Sequence, residues 1–237
     1  MGPRMTAPIG LQPTAELAER VLLPGDPARA LLLAQSLLEG PKMFNHHRGL
    51  WGYSGIASDG APLTIQSTGM GGPSAAIVVQ ELVDLGARRL VRVGTCGALQ
   101  PGLRLGELVL ATEAIAADGT SRALGVGDRI AASRDLLAAL GAAADHAGPI
   151  VTTDLFYDRR ELESEWRAAG ALAVEMETAT LFALATAHGL QAAALLVVSD
   201  LVAPPRVRIA PDDLREAERR MGQAALGALS PVGVSQP

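Results

Sequence analysis

Two stretches, Ser67-Thr-Gly-Met-Gly-Gly-Pro-Ser74 and Leu90-Val-Arg-Val-Gly-Thr-Cys-Gly97, each end an apolar run in glycines and hydroxyl side chains. The pattern predicts two strands that end in tight turns, with Pro73 opening a helix after the first. Arg92 places a charge at the end of an apolar strand, where it requires a partner. Glycine-turn N–H groups, a guanidinium and a hydroxyl together suit a small oxyanion, so the two stretches predict phosphate chemistry.

The chain on either side of these stretches alternates between strand-like apolar runs and helical patterns, which predicts an α/β layer protein. Residues 121–132 read as a loop. No GxGxxG, GxxxxGK[ST] or G-x-S-x-G motif is present to indicate a dinucleotide fold, a P-loop or a nucleophile elbow. Strands are predicted at 21–23, 42–57 (two, with a turn at Arg48-Gly49), 62–69, 89–94, 107–115, 149–153 and 192–198, and helices at 28–38, 73–86, 133–146, 159–169, 178–188 and near the C-terminus.

Length and composition predict one domain. The chain has 237 residues, 49% of them hydrophobic, and its apolar periodicity is not broken by a linker. That is enough apolar sequence for one large core. We therefore expect a single domain over residues 1–237, with a lead-in at 1–20 whose first part is loose and a core at about 20–230.

Charge and cysteine content exclude several classes of protein. The net charge of −5 argues against a nucleic-acid partner, because phosphate backbones select basic surfaces. The single cysteine, Cys96, excludes an internal disulfide framework. His46 and His47 point to opposite faces of a strand, so we expect no metal site. No apolar run has the length of a membrane span or signal peptide, and we expect a soluble protein of the cytoplasm.

Several polar or aromatic residues lie where predicted strands end, which is the usual ligand-binding edge of such sheets. Arg29 falls in the first turn of a helix capped by Asp26, where its charge is unfavourable unless an anion is present. Phe156 could stack on a planar ligand or plug the core. Glu175 lies at a strand end, where a partly buried carboxylate needs donors. Asp200 follows a fully apolar strand and is either a positioned acid or a turn residue.

Seven ordered motifs between about residues 20 and 200 resemble the hexameric purine nucleoside phosphorylases of the nucleoside phosphorylase-I superfamily, which also holds uridine phosphorylases and nucleosidases. Most of these motifs are shared across the superfamily, so they do not settle the base. The motifs are Pro24-Gly-Asp-Pro-Ala-Arg29, Arg48-Gly49, Ser67-Thr-Gly-Met-Gly-Gly-Pro-Ser74, Arg92-Val-Gly-Thr-Cys-Gly97, Asp154-Leu-Phe-Tyr157, Val174-Glu-Met-Glu177 and Ser199-Asp200.

The resemblance implies a three-layer α/β/α fold with a central mixed, partly barrel-like sheet, and an enzyme that cleaves purine (2′-deoxy)ribonucleosides with inorganic phosphate. It implies no cofactor other than phosphate as co-substrate, and a homohexamer built as a trimer of dimers. Three guanidiniums around one phosphate repel each other without the anion, so we expect tight phosphate binding. The implied phosphate site consists of Gly25, Arg29, Arg92 and Thr95, completed by Arg48 from a neighbouring subunit.

The resemblance also implies which residues contact the nucleoside. Phe156 stacks on the base, Glu177 accepts from the ribose hydroxyls, and Asp200 protonates or hydrogen-bonds purine N7 as the leaving base departs. An arginine further along supports Asp200, and Arg206, Arg208 and Arg215 are all candidates. The implied nucleoside-binding residues are Phe156, Val174, Glu175, Met176, Glu177 and Ser199.

Two positions depart from related patterns. Ile9 stands where the family carries a histidine that reaches a neighbour's ribose 5′ position, and an apolar residue there could admit a 5′-methylthio group. Uridine phosphorylases place a glutamine and an arginine four and six residues beyond the stacking phenylalanine, whereas this chain has Arg160 and Leu162. The alternatives are therefore a methylthioadenosine phosphorylase, a uridine phosphorylase, a related nucleosidase that uses water, or a binding module without catalysis.

Overall fold

The computed structural model describes residues 8–202 and 205–230, and within these residues the chain forms eleven strands and seven α-helices. The strands are β1 (Arg20–Leu23), β2 (Leu38–Asn45), β3 (Gly52–Ala57), β4 (Pro62–Gln66), β5 (Arg89–Ala98), β6 (Leu108–Ala117), β7 (Arg129–Ala131), β8 (His146–Thr153), β9 (Ala173–Glu175), β10 (Gln191–Leu201) and β11 (Val207–Arg208). The helices are α1 (Pro27–Leu37), α2 (Gly72–Leu85), α3 (Gly119–Ala123), α4 (Arg134–Leu140), α5 (Glu163–Ala168), α6 (Thr178–His188) and α7 (Pro211–Leu229).

All the strands join one mixed sheet, in the order β11-β10-β6-β8-β9-β5-β1-β4-β3-β2, with β7 paired to β6. An additional parallel pairing between β10 and β5 closes β5, β9, β8, β6 and β10 into a ring. β1, β4, β3 and β2 extend from β5 of this ring as a sheet, whereas β7 and β11 pair with β6 and β10. The α/β fold with a central mixed, partly barrel-like sheet is therefore confirmed.

The long strands are apolar on both faces because helices cover both sides of the sheet. On β10, Leu196 belongs to a buried cluster that includes Phe182 of α6. The adjacent Leu195 points the other way, into a cluster that includes Met221 of α7. Each fully buried leucine contributes about 1.5–3 kcal/mol, so this alternation fixes the strand between the two helical layers.

The second glycine stretch does not form the predicted turn. It lies inside β5, which continues through Ala98 rather than ending at residue 94. A Cβ atom on Gly94 would lie 2.7 Å from Nη2 of Arg92, so glycine is needed here to let the guanidinium fold back over its own strand. The first stretch does form a turn: Gly69 and Gly71 have positive φ angles of 73° and 84°, and α2 begins at Gly72.

Other element boundaries also differ from the predictions. The segment read as a loop at 121–132 contains the end of α3 and all of β7, and β11 was not predicted. The helix predicted at 133–146 is shorter, because α4 ends at Leu140. The helix predicted at 159–169 is also shorter and is limited to α5, residues 163–168. Ser199 and Asp200 lie within β10 and not beyond it. All these differences concern short polar elements or the ends of elements, whose boundaries depend on pairing with distant parts of the chain.

The lead-in is held to the body of the protein from its first described residues. The N–H groups of Ile9, Gly10 and Leu11 all donate to the carboxylate of Glu81, at 2.6–2.8 Å. Residues 1–7, where the loose part of the lead-in was expected, lie outside the described residues. Within 8–202 and 205–230, no helix has the length and apolar character required to cross a membrane.

Candidate active site

A cavity of about 770 Å³ is lined by the loop after β1, by the second half of β5 and by residues at the ends of β8, β9 and β10. All the candidate phosphate-binding, nucleoside-binding and catalytic residues predicted from the sequence line this cavity, except Arg48. A larger surface cleft of about 1090 Å³ lies at the opposite ends of the strands, beside Arg20 and Arg89, and none of the nominated residues lines it. The nominated residues that line the first cavity are Gly25, Arg29, Arg92, Thr95, Phe156, Val174, Glu175, Met176, Glu177, Ser199 and Asp200.

Arg92 is the buried centre of this cavity. Its Nε donates to Glu175 at 2.8 Å, and its Nη2 lies 2.5 Å from Glu177. Burial disfavours the charged guanidinium, but Glu177 and Glu175 outweigh this effect and raise the pKa of Arg92. Nη1 is buried without a hydrogen-bond partner among the described residues. A Cβ atom on Gly25 would lie 3.8 Å from it, so this free donor faces the Gly25 loop.

Arg29 forms a second buried cation on the same wall. As predicted, Asp26 caps α1, accepting from the N–H of Ala28 at 2.8 Å, and Arg29 lies in the first turn. The anion that this position requires is supplied by the protein itself. Nε of Arg29 donates to Glu218 of α7 at 2.6 Å, and Nη1 lies 3.4 Å from the carbonyl oxygen of Val93.

These pairings correct the expectation that the guanidiniums repel each other in the absence of phosphate. Three carboxylates already face the two cavity guanidiniums: Glu175 and Glu177 pair with Arg92, and Glu218 pairs with Arg29. The cavity therefore has no large excess of positive charge. An arriving anion would have to bind the donors that remain free, notably Nη1 of Arg92.

The two glutamates of the Val174–Glu177 motif have different surroundings. Glu175 accepts from Arg92, from the hydroxyl of Thr152 at 2.6 Å, and from the N–H groups of Glu177 and Thr178 at the start of α6. Its carboxylate is thus saturated by the protein. Glu177 accepts from the N–H of Gly71 at 2.5 Å and pairs with Arg92. Burial raises the pKa of Glu177, Arg92 opposes the shift, and Glu175 adds to it.

Asp200 lies at the other end of the cavity and is 4% exposed. It accepts from the hydroxyl of Ser199 at 2.7 Å, and its Oδ1 lies 3.0 Å from Nε of Arg206 and 3.1 Å from Nε of Arg208. The pairing of β10 with β11 places Asp200 opposite Arg208. The third candidate, Arg215, instead pairs with Asp212 at the surface.

Phe156 and Tyr157 form an edge-to-face pair with ring centroids 5.0 Å apart. Phe156 is 48% exposed, so it is not a core plug. The guanidinium of Arg206 lies 4.5 Å from the centroid of its ring, and the same arginine contacts Asp200. Arg206 therefore joins the aromatic and acidic walls of the cavity.

Two residues singled out from the sequence lie away from the cavity. Arg48 is exposed, with a left-handed φ angle of 57° that is unfavourable by about 1–2 kcal/mol for a residue with a Cβ atom. Ile9 is 80% exposed. The described residues contain no cluster of three or more histidine, cysteine, aspartate or glutamate side chains arranged to hold a metal ion.

Sequence reasoning missed Glu218 and Thr152. Glu218 occupies the apolar stripe of α7, between the buried Ala217 and Met221. A carboxylate on such a stripe requires a buried cation, and that signal was present in the sequence. Thr152, near the end of β8, gave no comparable signal.

The chain matches known proteins over most of its length. A family model described as "Phosphorylase superfamily" matches residues 19–230. The purine nucleoside phosphorylase DeoD-type of Geobacillus kaustophilus is 40% identical over 205 residues, which cover 83% of this chain and 86% of that protein. The protein of that name from Jannaschia sp. is 41% identical over 208 residues, covering 83% and 87%. A crystal structure of uridine phosphorylase from Vibrio fischeri has a TM-score of 0.79 and 29% identity, covering 90% of each chain.

The family model covers well over half of the chain, and the relatives at about 40% identity cover more than two thirds of it. These matches agree with the resemblance drawn from the seven motifs. The chain belongs to the phosphorylase superfamily.

Proposed function

We propose that the protein is a purine nucleoside phosphorylase, which cleaves purine ribonucleosides and 2′-deoxyribonucleosides with phosphate to give the free base and (deoxy)ribose 1-phosphate. The observation that carries this proposal is Nη1 of Arg92, a buried cationic donor without a partner among the described residues, in a cavity that also holds Asp200 and Phe156. Relatives named as purine nucleoside phosphorylases support the same activity.

Phosphate would bind between the Gly25 loop, Arg29, Arg92 and Thr95. In this position it meets Nη1 of Arg92 and the terminal nitrogens of Arg29 without breaking the ion pairs to Glu175 and Glu218. Charge-assisted hydrogen bonds would orient one phosphate oxygen toward the ribose anomeric carbon. No cofactor is required beyond phosphate as co-substrate.

The nucleoside would fill the rest of the cavity. Met176 and Glu177 would hold the ribose, and Phe156 would stack on the base beside Val174 and Glu175. Asp200 in its protonated form, beside Ser199, would give its carboxyl proton to purine N7, become a carboxylate, and so stabilise the base as the glycosidic bond breaks. Because Asp200 already accepts from Arg206 and forms an ion pair with Arg208, the purine must displace or rearrange one of these contacts.

The arrangement favours a purine over uridine and phosphate over water. Arg160 is held by the carboxylate of Asp158 at the surface, at 2.5–3.0 Å, and does not line the cavity. A nucleosidase has no need for the buried guanidiniums of Arg29 and Arg92, both of which line the cavity.

A substrate series tests the proposal. We expect release of free base from inosine, guanosine or adenosine only when phosphate is present, with little cleavage of uridine. Equal rates with and without phosphate would identify a nucleosidase. Methylthioadenosine belongs in the series because Ile9 could admit the methylthio group, and a strong preference for inosine or adenosine would contradict that role for Ile9.

We further propose that the active unit is a homohexamer, a trimer of dimers in which Arg48 completes a neighbour's phosphate site. Arg48 is exposed, carries an unfavourable backbone conformation and lies outside its own cavity, as expected of a residue that acts on another subunit. We also propose a single domain over residues 1–237, a cytoplasmic location and a role in purine salvage.

Replacing Arg48 with alanine should raise the KM for phosphate about tenfold, because one of three guanidiniums at the anion is lost. Mixing Arg48→Ala and Asp200→Asn subunits should restore activity, since a hybrid oligomer can contain a site with both residues intact. Arg219→Ala, which changes another exposed arginine, should behave as wild type. A monomer with full phosphate affinity would contradict a shared site.

A further inference from the structure

We propose that Glu218 is a positioning residue for phosphate: it holds Arg29 by its Nε so that the terminal nitrogens of Arg29 face the cavity. This inference rests on the proposed function. Glu218 is 6% exposed, and it does not line the cavity. It therefore acts on the substrate only through Arg29.

The geometry divides the donors of Arg29 between the protein and the cavity. Nε donates to Glu218 at 2.6 Å, and Nη1 lies at 3.4 Å from the carbonyl oxygen of Val93, which is a long hydrogen bond. Among the described residues, none accepts from Nη2. Arg92 is held in the same manner, since Glu175 accepts from its Nε while Nη1 stays free. Both guanidiniums are thus anchored at Nε and leave terminal donors for an anion.

Stability does not account for the buried carboxylate on α7. A buried ion pair is often no more stabilising than an apolar pair of the same volume, and Glu218 interrupts an otherwise apolar stripe. Arg29 also lies at the positive end of α1, where a cation is unfavourable. Glu218 offsets that repulsion and at the same time fixes the direction of the guanidinium.

Close packing of α7 on α1 sets the distance between the two charges. One turn after Glu218, a Cβ atom on Gly222 would lie 2.5 Å from Cδ2 of Leu33. Glycine therefore lets the helices approach closely where the ion pair forms. This contact holds α7 against α1 one turn away from the ion pair.

The test measures the KM for phosphate and for inosine separately. Glu218→Ala should raise the KM for phosphate about tenfold and change the KM for inosine less than twofold, because only the orientation of Arg29 is lost. Glu218→Gln keeps an oxygen that accepts from Nε, and its KM for phosphate should rise only about threefold. Glu216→Ala, which changes an exposed glutamate on the same helix, is the matched control and should match wild type.

A double-variant cycle separates positioning from a general structural effect. In an Arg29→Ala background, adding Glu218→Ala should change the KM for phosphate less than twofold, because the residue through which Glu218 acts is already gone. Additive effects, an equal rise in both KM values, or tighter phosphate binding by Glu218→Gln would overturn the proposal. If Glu218→Ala does not fold, Glu218→Gln in both backgrounds decides the question. A wild-type protein without phosphate-dependent cleavage would instead refute the proposed function.

Discussion

The Asp200→Asn variant is expected to cleave inosine about a thousandfold more slowly than wild type, mainly through kcat. Asparagine cannot donate the proton that the leaving purine requires at N7. Its amide group would also turn one donor toward Arg206 or Ser199, which now donate to the Asp200 carboxylate, or toward Arg208, which forms an ion pair with it. Steady-state phosphorolysis with saturating phosphate measures the loss.

A substrate that needs no protonation distinguishes acid catalysis from simple damage to the cavity. The base of 7-methylinosine already carries a positive charge, so Asp200→Asn should retain most of its activity on this compound. Asp212→Asn makes the same substitution at an exposed aspartate and should leave both substrates unaffected. Equal losses on inosine and 7-methylinosine would contradict a role as acid. If wild type and variant both lack turnover, the chain is a binding module.

Much of the fold could be predicted from the sequence because the long strands and helices have strong periodicity. The closure of the ring could not, since the pairing of β10 with β5 depends on contacts between distant segments. Gly94 is the last residue of the predicted strand because glycine is common where strands end in turns, but in the structure it lies inside β5, beneath a folded-back side chain. Only the position of the Arg92 guanidinium over the strand distinguishes the two.

The candidate site was predictable to the extent that strand ends converge. β5 and β10 are parallel neighbours, so Thr95 and Asp200 near their ends could be expected to lie at one edge of the sheet. β9 runs antiparallel to β5, so the approach of its Glu175 to Arg92 could not be expected on this ground. The other ion pairs of the site could not be anticipated either. Glu218 is 189 residues from Arg29, and nothing local connects them. The same limit applies to Arg206 and Arg208, whose contact with Asp200 depends on the short pairing of β11 with β10.

Replacing Arg92 with lysine is expected to raise the KM for phosphate at least about tenfold and to lower the free energy of unfolding by about 2–4 kcal/mol. Lysine keeps the charge, but its three donors all lie on one nitrogen and cannot take the separate positions of Nε, Nη1 and Nη2 of the guanidinium. Two of those nitrogens contact the buried carboxylates of Glu175 and Glu177, and the third faces the cavity. Urea unfolding and phosphate kinetics measure the two effects separately.

Arg89→Lys provides the control, because it makes the same change at the first residue of the same strand, three residues before Arg92. Arg89 donates to Gln191 and to the carbonyl oxygens of Leu229 and Ala228, and it does not line the cavity of the proposed phosphate site. Its loss should reduce stability while the KM for phosphate stays within twofold of wild type. If both lysine variants impair phosphate binding equally, the effect on Arg92 is structural. If only Arg92→Lys does so, the result supports a direct contact of Arg92 with phosphate through its free Nη1 group.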